Sequence, residues 1–260
     1  MTDATATPAL PQVQKITRAD IKAALAAGLS DFQKAPVYGL FFGAIFSAMG
    51  ILIAALLARG DAGYWIFPLA AGFPLIGPFA AVGLYEISRR LEAGEPLSWG
   101  PILAAGFRQK NGQLPFFMVF AVFAFLVWIV LARVIFAVSF GTASMTNVMT
   151  SMEVFLTSSG MIMLAIGTVV GAALAALLFA ISVVSVPMLI DRDVDMVTAM
   201  ITSFKAAAEN RDAMAFWAMI LVGAVVIAML PLFFGMVLVF PALGHASWHV
   251  YRKVVPPDAG

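Results

Sequence analysis

The sequence contains no cysteine in 260 residues, and this absence excludes disulfides, thiolate catalysis, iron–sulfur ligation and lipid attachment to cysteine. Charged residues are also scarce, at 11%, whereas soluble domains carry about 25%. Hydrophobic residues instead make up 62% of the chain. Because a spanning helix needs about 20 apolar residues, this composition predicts a polytopic membrane protein. The net charge of +1 gives no reason to expect a nucleic-acid partner.

Histidine is nearly absent too, since the chain has only His245 and His249. A catalytic haem–copper centre takes several histidines from different helices, which excludes that class of subunit. Four positions apart, the two rings share one helix face and are weak candidates for half of a metal or haem site. The alternative is that they hydrogen-bond to neighbouring helices. No nucleophile–base pair or metal set can be assembled from the sequence, so we expect no enzyme activity and no cofactor.

Long apolar runs are what the sequence does have. Six of them predict six spanning helices and an all-α fold, at about residues 36–58, 65–90, 115–140, 160–190, 214–234 and 235–250. A polar segment with a Met/Phe stripe, 141–159, predicts an interfacial helix on the far side. The segments 1–14 and 254–260 are expected to be tails, with 1–14 disordered, on either side of one membrane domain, 15–253.

The spans also form a repeat. An amphipathic helix is predicted before each pair of spans, at 21–33, 99–109 and 196–208, and Thr17 and Asp20 are spaced as a capping box for the first. Pro78 and Pro241 are followed at equal offsets by an aromatic residue and two basic residues. We therefore predict three hairpins with pseudo-threefold symmetry, in repeats of about 15–95, 96–190 and 191–253.

Basic residues indicate the orientation, because they concentrate on the cytoplasmic side. All of the Lys and Arg residues except Arg59 and Arg133 fall on the side that carries the amphipathic helices. Both termini are therefore predicted to face the cytoplasm.

Two features inside the spans are candidates for a pore or cavity. The first is the run of prolines and glycines in the second span, which either kinks the helix or unwinds it beside a cavity: Pro68, Gly72, Pro74, Gly77 and Pro78. The second is Arg133, which lies about 27 Å along the third span, counted from Pro115. Arg133 is expected to snorkel to the far interface or to pair with Glu153, and an intramembrane site is the alternative.

Charged residues collect where the spans leave the membrane. Asp191, Asp193 and Asp195 alternate like the start of a calcium loop, but the glycine and the late glutamate of that motif are absent. Asp195 is instead predicted to cap the helix that begins at Met196. The other acids are expected to meet basic residues across a structural or docking face, whose candidate members are Glu86, Arg89, Arg90, Asp191, Arg192, Asp193, Asp195 and Arg252.

Four separated blocks carry a resemblance to a known family. They are ADIKAALAAGLSDFQKAP (19–36), GFPLIGPFAAVGLYEISRRLEAGE (72–95), SVPMLIDRDVD (185–195) and FPALGHASWHVYRK (240–253). Together they resemble a bacterial family of predicted integral membrane proteins, the domain of unknown function 2189. The resemblance implies a bacterial inner membrane. Some members are labelled cytochrome c oxidase subunits, and no established activity comes with the family.

Two functions remain open from the sequence. The first is a non-catalytic accessory subunit or assembly factor of an inner-membrane complex, in contact with lipid and with other membrane subunits or copies of itself. The alternative is a small-solute transporter or channel that uses the proline-rich segment at 67–79.

Overall fold

The computed structural model describes residues 11–59, 77–106, 113–141 and 156–257, and every regular element in these ranges is a helix. The helices are α1 Arg18–Lys34, α2 Pro36–Arg59, α3 Val82–Ala93, α4 Trp99–Leu103, α5 Gln113–Phe140, α6 Ser158–Ser182, α7 Ser185–Asp191, α8 Met196–Glu209, α9 Arg211–Met229 and α10 Met236–Val254. The predicted all-α class is confirmed.

Among the described residues, four helical segments are long and apolar enough to cross a membrane: Pro36–Leu56, Gln113–Phe140, Ser158–Asp191 and Arg211–Met229. They correspond to the first, third, fourth and fifth predicted spans. The second predicted span is described only from residue 77 onward, and α10, in the place of the sixth, is not among the four. The predicted interfacial helix at 141–159 lies mostly outside the described residues.

One predicted amphipathic helix is wrong in length. Instead of covering 99–109, α4 ends at Leu103 and is followed by a turn that continues to Gly106. Gly106 at the end of this turn fits the early stop, because glycine is a poor helix former. The other two amphipathic helices are present as α1 and α8, and each begins at a side-chain cap.

Helix α10 lies at the centre of the described structure, packed against α1 and α2 at glycines. A Cβ atom on Gly28 would lie 2.4 Å from the backbone nitrogen of Ala246. A Cβ atom on Gly43 would lie 2.3 Å from the carbonyl oxygen of Val237. Small residues at such crossings let helix backbones approach closely, which is how membrane helices associate.

The turn between α9 and α10 is tight. Leu232 and Phe233 have positive φ angles of 51° and 66°, a backbone conformation that residues other than glycine rarely adopt. Ser47 of α2 donates a hydrogen bond to the carbonyl oxygen of Phe233 at 2.8 Å. The chain then reverses at Gly235, which packs against the backbone of Ala228. Helices α9 and α10 are therefore antiparallel neighbours.

The opposite end of α10 meets the start of the described chain. The backbone nitrogen of Gln14 donates to the carbonyl oxygen of Val254 at 2.8 Å. The Asn210 side chain, between α8 and α9, donates to the carbonyl oxygen of Gln14 at 3.1 Å and accepts from the backbone nitrogen of Ile16 at 2.8 Å. Gln14, which the sequence assigns to a tail, thus connects two helix ends.

Candidate functional site

A chain of four polar side chains, of which Asp31, Ser88 and His245 are buried and His249 is partly exposed, links α1, α3 and α10. Oδ2 of Asp31 accepts a hydrogen bond from Nε2 of His249 at 2.7 Å and another from Oγ of Ser88 at 2.9 Å. Ser88 Oγ also lies 2.8 Å from Nδ1 of His245. Because the single hydroxyl proton goes to Asp31, His245 must donate from Nδ1. Its buried Nε2 then has no partner among the described residues.

Asp31 reaches this position because α1 turns one face toward α10. The buried residues of α1 are Ile21, Ala24, Gly28 and Asp31, which follow one another at intervals of three or four. A capping box begins the helix: the Thr17 side chain accepts from the backbone of Asp20, whose own side chain accepts from the backbone of Thr17. This cap, predicted from the sequence, is confirmed.

Asp31 remains ionised despite its burial. Burial alone would raise the pKa of its carboxyl group. The hydrogen bonds from His249 and Ser88, together with favourable electrostatic interactions with both histidines, outweigh burial and hold the pKa below its ordinary value. The buried carboxylate therefore attaches the first helix to the last one.

The two histidines have different partners, Ser88 for His245 and Asp31 for His249. Within the described ranges, no group of three His, Cys, Asp or Glu side chains could hold a metal ion. The hydrogen bond from His249 to a neighbouring helix, predicted from the sequence, is confirmed. The pairing of a donor histidine with a buried carboxylate is suited to holding helices together.

The arginines of α3 pair within their own segment. Arg89 binds Glu86 through Nε at 2.8 Å and Glu95 through Nη2 at 3.0 Å. Arg90 binds Glu86 through Nε at 2.7 Å. The sequence leaves Arg89, Arg90 and Arg252 open as partners of the acids at 191 and 193. Arg89 and Arg90 bind Glu86 and Glu95, which lie three to six positions away on the same chain.

Asp191 instead pairs with the last helix. Its Oδ2 accepts from Nη1 of Arg252 at 3.1 Å and from the hydroxyl of Tyr251 at 2.6 Å. Arg252 also binds Glu92 of α3 through two nitrogens, and Trp248 donates to the same carboxylate at 2.9 Å. Pairing of Asp191 with Arg252, one of the partners expected from the sequence, is confirmed. These hydrogen bonds and ion pairs connect α3, α7 and α10.

We call this layer the charged end of the protein, and its members are Asp31, Glu86, Arg89, Arg90, Glu92, Asp191, Arg192 and Arg252. Arg192 belongs to it through a bond from Nε to the hydroxyl of Tyr251 at 3.2 Å. Asp195 and Asp193 lie at its edge and are exposed. Oδ1 of Asp195 accepts from the backbone nitrogen of Thr198 at 2.9 Å, so the predicted N-cap of α8 is confirmed.

The charged end contains residues that the sequence did not single out, notably Asp31, Ser88, Glu92 and Tyr251. The sequence does carry a signal for Asp31. Its spacing of three from Gly28 was the signal, because residues three apart lie on the same side of a helix. No local pattern marks Ser88, whose partners lie 57 and 157 positions away.

The candidate pore residues are divided by the limits of the described structure. Gly77 and Pro78 line a cavity, whereas Pro68, Gly72 and Pro74 lie outside the described residues. Arg133 is exposed on α5, and its predicted partner Glu153 also lies outside them. Whether the proline-rich segment is kinked or unwound therefore stays a prediction.

The cavity has a volume of about 900 Å³ and lies beside α9. Aromatic, aliphatic and alanine side chains from α2, α3, α5, α6, α9 and α10 form most of its wall. Its polar members are Tyr85, Ser182, Arg211 and Ser247. Arg211 begins α9 and Met229 ends it, so the cavity follows that helix along its whole length.

Comparison with known families connects this architecture to one of them. Residues 66–191 match the family of predicted integral membrane proteins named DUF2189. The DUF2189 match contains the sequence block at 72–95 and most of the block at 185–195, so the resemblance is confirmed there. The blocks at 19–36 and 240–253 lie outside the DUF2189 match. Comparisons with curated proteins and with solved structures found no match.

Proposed function

We propose that this protein is a non-catalytic accessory subunit or assembly factor of a larger complex in a bacterial inner membrane. The observation that carries the proposal is the small buried share of α5 and α6. Only 17% of the most apolar window of α5 and 22% of that of α6 are buried inside the chain. Their remaining surface is available to lipid and to other membrane subunits.

Helix α5 presents one continuous apolar stripe to the outside. The stripe consists of the exposed residues Phe116, Val119, Phe123, Leu126 and Val130. Their spacing of three or four puts them on one face of the helix. Helices in lipid associate through close packing, since lipid tails are as apolar as leucine, so this face suits a partner helix of complementary shape. An oxidase subunit is the partner that the family resemblance suggests.

The contacts at the charged end favour a membrane subunit of fixed shape over a transporter that changes conformation. Its ion pairs and hydrogen bonds connect α1, α3, α7 and α10, and several of their donors and acceptors are buried. Breaking a buried pair by moving one partner is costly, because the other charge is left uncompensated. A membrane subunit of fixed shape with an exposed apolar flank fits this arrangement.

Six crossings and a pseudo-threefold arrangement are part of the proposal. Antiparallel packing of α9 and α10 supports a final hairpin. Each amphipathic helix also contacts the last helix of the preceding repeat in a cyclic order. Gly28 of α1 packs on Ala246 of α10, and Ser203 of α8 donates to the carbonyl oxygen of Ala180 of α6 at 2.7 Å. The short α4 likewise contacts α3.

Cytoplasmic termini follow from the same proposal. Arg89, Arg90, Arg192 and Arg252 all lie at the charged end, near the start of α1 and the end of α10. Basic residues concentrate on the cytoplasmic side of inner-membrane proteins. The charged end is therefore placed there, together with the first and last described residues.

Affinity purification tests the accessory role. The tagged chain is extracted from its native membrane in a mild detergent, and co-purifying proteins are quantified by mass spectrometry. We expect one or a few membrane subunits in fixed stoichiometry, and their loss when Val119 and Phe123 are both replaced by Trp. As a matched control, the exposed Met219 and Ile227 of α9 are replaced by Trp. Recovery of the chain alone, or equal loss from both double variants, would argue against the proposal.

A second candidate function is transport of a small apolar solute, and the cavity next to Gly77 and Pro78 favours it. Its predominantly apolar wall is unsuited to ions, which need polar or charged ligands at membrane depth. The purified chain in liposomes should then move a small apolar dye faster than empty liposomes. Equal rates with and without protein would exclude this candidate for that dye.

A further inference from the structure

The cavity beside α9 has the shape of a groove for one hydrocarbon chain. The 18 residue steps from Arg211 to Met229 correspond to about 27 Å of helix, close to the roughly 30 Å thickness of a bilayer core. A volume of about 900 Å³ spread over that length leaves a mean cross-section of about 33 Å². Because non-bonded carbons approach to about 3.5–4.0 Å, such a groove accommodates one extended chain at each depth.

The groove is open because small alanine side chains line its walls. Ala172, Ala175 and Ala176 of α6 line one wall, and Ala215 and Ala218 of α9 line the other. Ala175, Ala176 and Ala215 are exposed although they lie between helices. Larger side chains at these positions would fill the space. Trp128 of α5 does so where it packs against Gly171 of α6. An apolar chain can therefore lie along α9 without displacing any side chain.

Arg211 supplies a cation at one end of the groove. The structure gives its guanidinium one hydrogen bond, from Nε to the carbonyl oxygen of Ala208 at 3.0 Å, and no carboxylate partner within the described ranges. By contrast, Arg18 and Arg252 each pair with acids. The remaining guanidinium donors are therefore available to an anion, and a phosphate matches their geometry.

We propose that the groove between α6 and α9 binds one anionic phospholipid from the membrane leaflet at the charged end. Its phosphate is bound by Arg211, and one acyl chain lies along α9 toward Met229. The second acyl chain stays in the bilayer. This site is independent of the accessory role, because the isolated chain would retain the lipid with or without a protein partner.

Native mass spectrometry of the purified chain tests the site. The protein is equilibrated with vesicles of palmitoyl-oleoyl phosphatidylglycerol or of phosphatidylcholine with the same chains, and retained lipid is counted. We expect one phosphatidylglycerol per chain, retained at least ten-fold better than phosphatidylcholine. Arg211→Gln should abolish this preference. Lys22→Gln, which removes a charge from an exposed position on α1, should preserve it. Equal behaviour of these two variants would overturn the headgroup assignment.

Binding of the acyl chain in the groove is tested separately from binding of the headgroup. Ala218→Trp fills the groove and should remove retention of both lipids, whereas Met219→Trp, one position along and facing outward, should not. If Ala218→Trp does not elute as a single folded species, Ala175→Trp on the opposite wall replaces it, with the exposed Val169→Trp as its control. Retention that is unchanged when the groove is filled would overturn the proposal.

Discussion

Nε2 of His249 lies 2.7 Å from Oδ2 of Asp31, although the two residues are 218 positions apart in the chain. This contact joins the first amphipathic helix to the last helix at a buried point. Ser88 of α3 donates to the same carboxylate oxygen, so three helices meet on one acceptor atom. The charged end depends on that atom more than on any exposed ion pair.

Replacing Asp31 with Ala should destabilise the folded protein by about 2 kcal/mol, because the buried donor of Ser88 and the partly buried donor of His249 lose their acceptor. Gln33→Ala, at an exposed position of the same helix, is the matched control and should cost less than about 0.5 kcal/mol. Thermal unfolding of both variants in detergent measures the difference. Equal midpoints would show that the Asp31 contacts contribute nothing.

Stability should also fall in acid because of Asp31. A carboxyl group with a lowered folded-state pKa stabilises the protein above its ordinary pKa of 3.8, and this contribution is lost as the pH falls through the lowered value. Unfolding midpoints measured from pH 6 down to pH 2 should therefore decline more steeply for the wild type than for Asp31→Asn. Parallel curves for the two proteins would contradict this assignment.

Gly28→Ala should separate α1 from α10, because the added Cβ would lie 2.4 Å from a backbone nitrogen that cannot rotate away. We expect a loss of about 1–3 kcal/mol, typical of overpacking. Gly223→Ala is the control, since a Cβ there meets nothing within 4 Å. Protease accessibility of α1 in membrane vesicles should rise only in the Gly28 variant. No change in accessibility would mean that the two helices accommodate the added methyl group without separating.

Arg252→Gln should cost more than Arg18→Gln. Arg252 bridges Glu92 and Asp191, and the Asp191 side chain is only 15% exposed, so its charge would be left poorly compensated. The Arg18–Asp212 pair is solvent-exposed on both sides, so water screens its charges and its loss should have the smaller effect. Unfolding midpoints of the two variants, measured in the same detergent, check the order. The reverse order would contradict the central position of Arg252.

Local features of the fold could be predicted from the sequence, and distant ones could not. The Thr17–Asp20 capping box and the Asp195 cap depend on residues three positions apart, so their spacing was sufficient. The sequence could not choose among Arg89, Arg90 and Arg252 as the partner of Asp191, and in the structure Glu86 binds the first two. Ser88 has no local pattern at all, because its role exists only once α1, α3 and α10 are packed together.

Photo-crosslinking from α5 tests the accessory role most directly. A photoreactive amino acid is placed at Val119, on the exposed stripe, or at Phe117, which is buried inside the chain. After irradiation in native membranes, we expect a discrete heavier band from position 119, containing a second membrane protein, and no such band from position 117. Crosslinking to lipid alone from position 119, in cells that express the chain at its natural level, would contradict it.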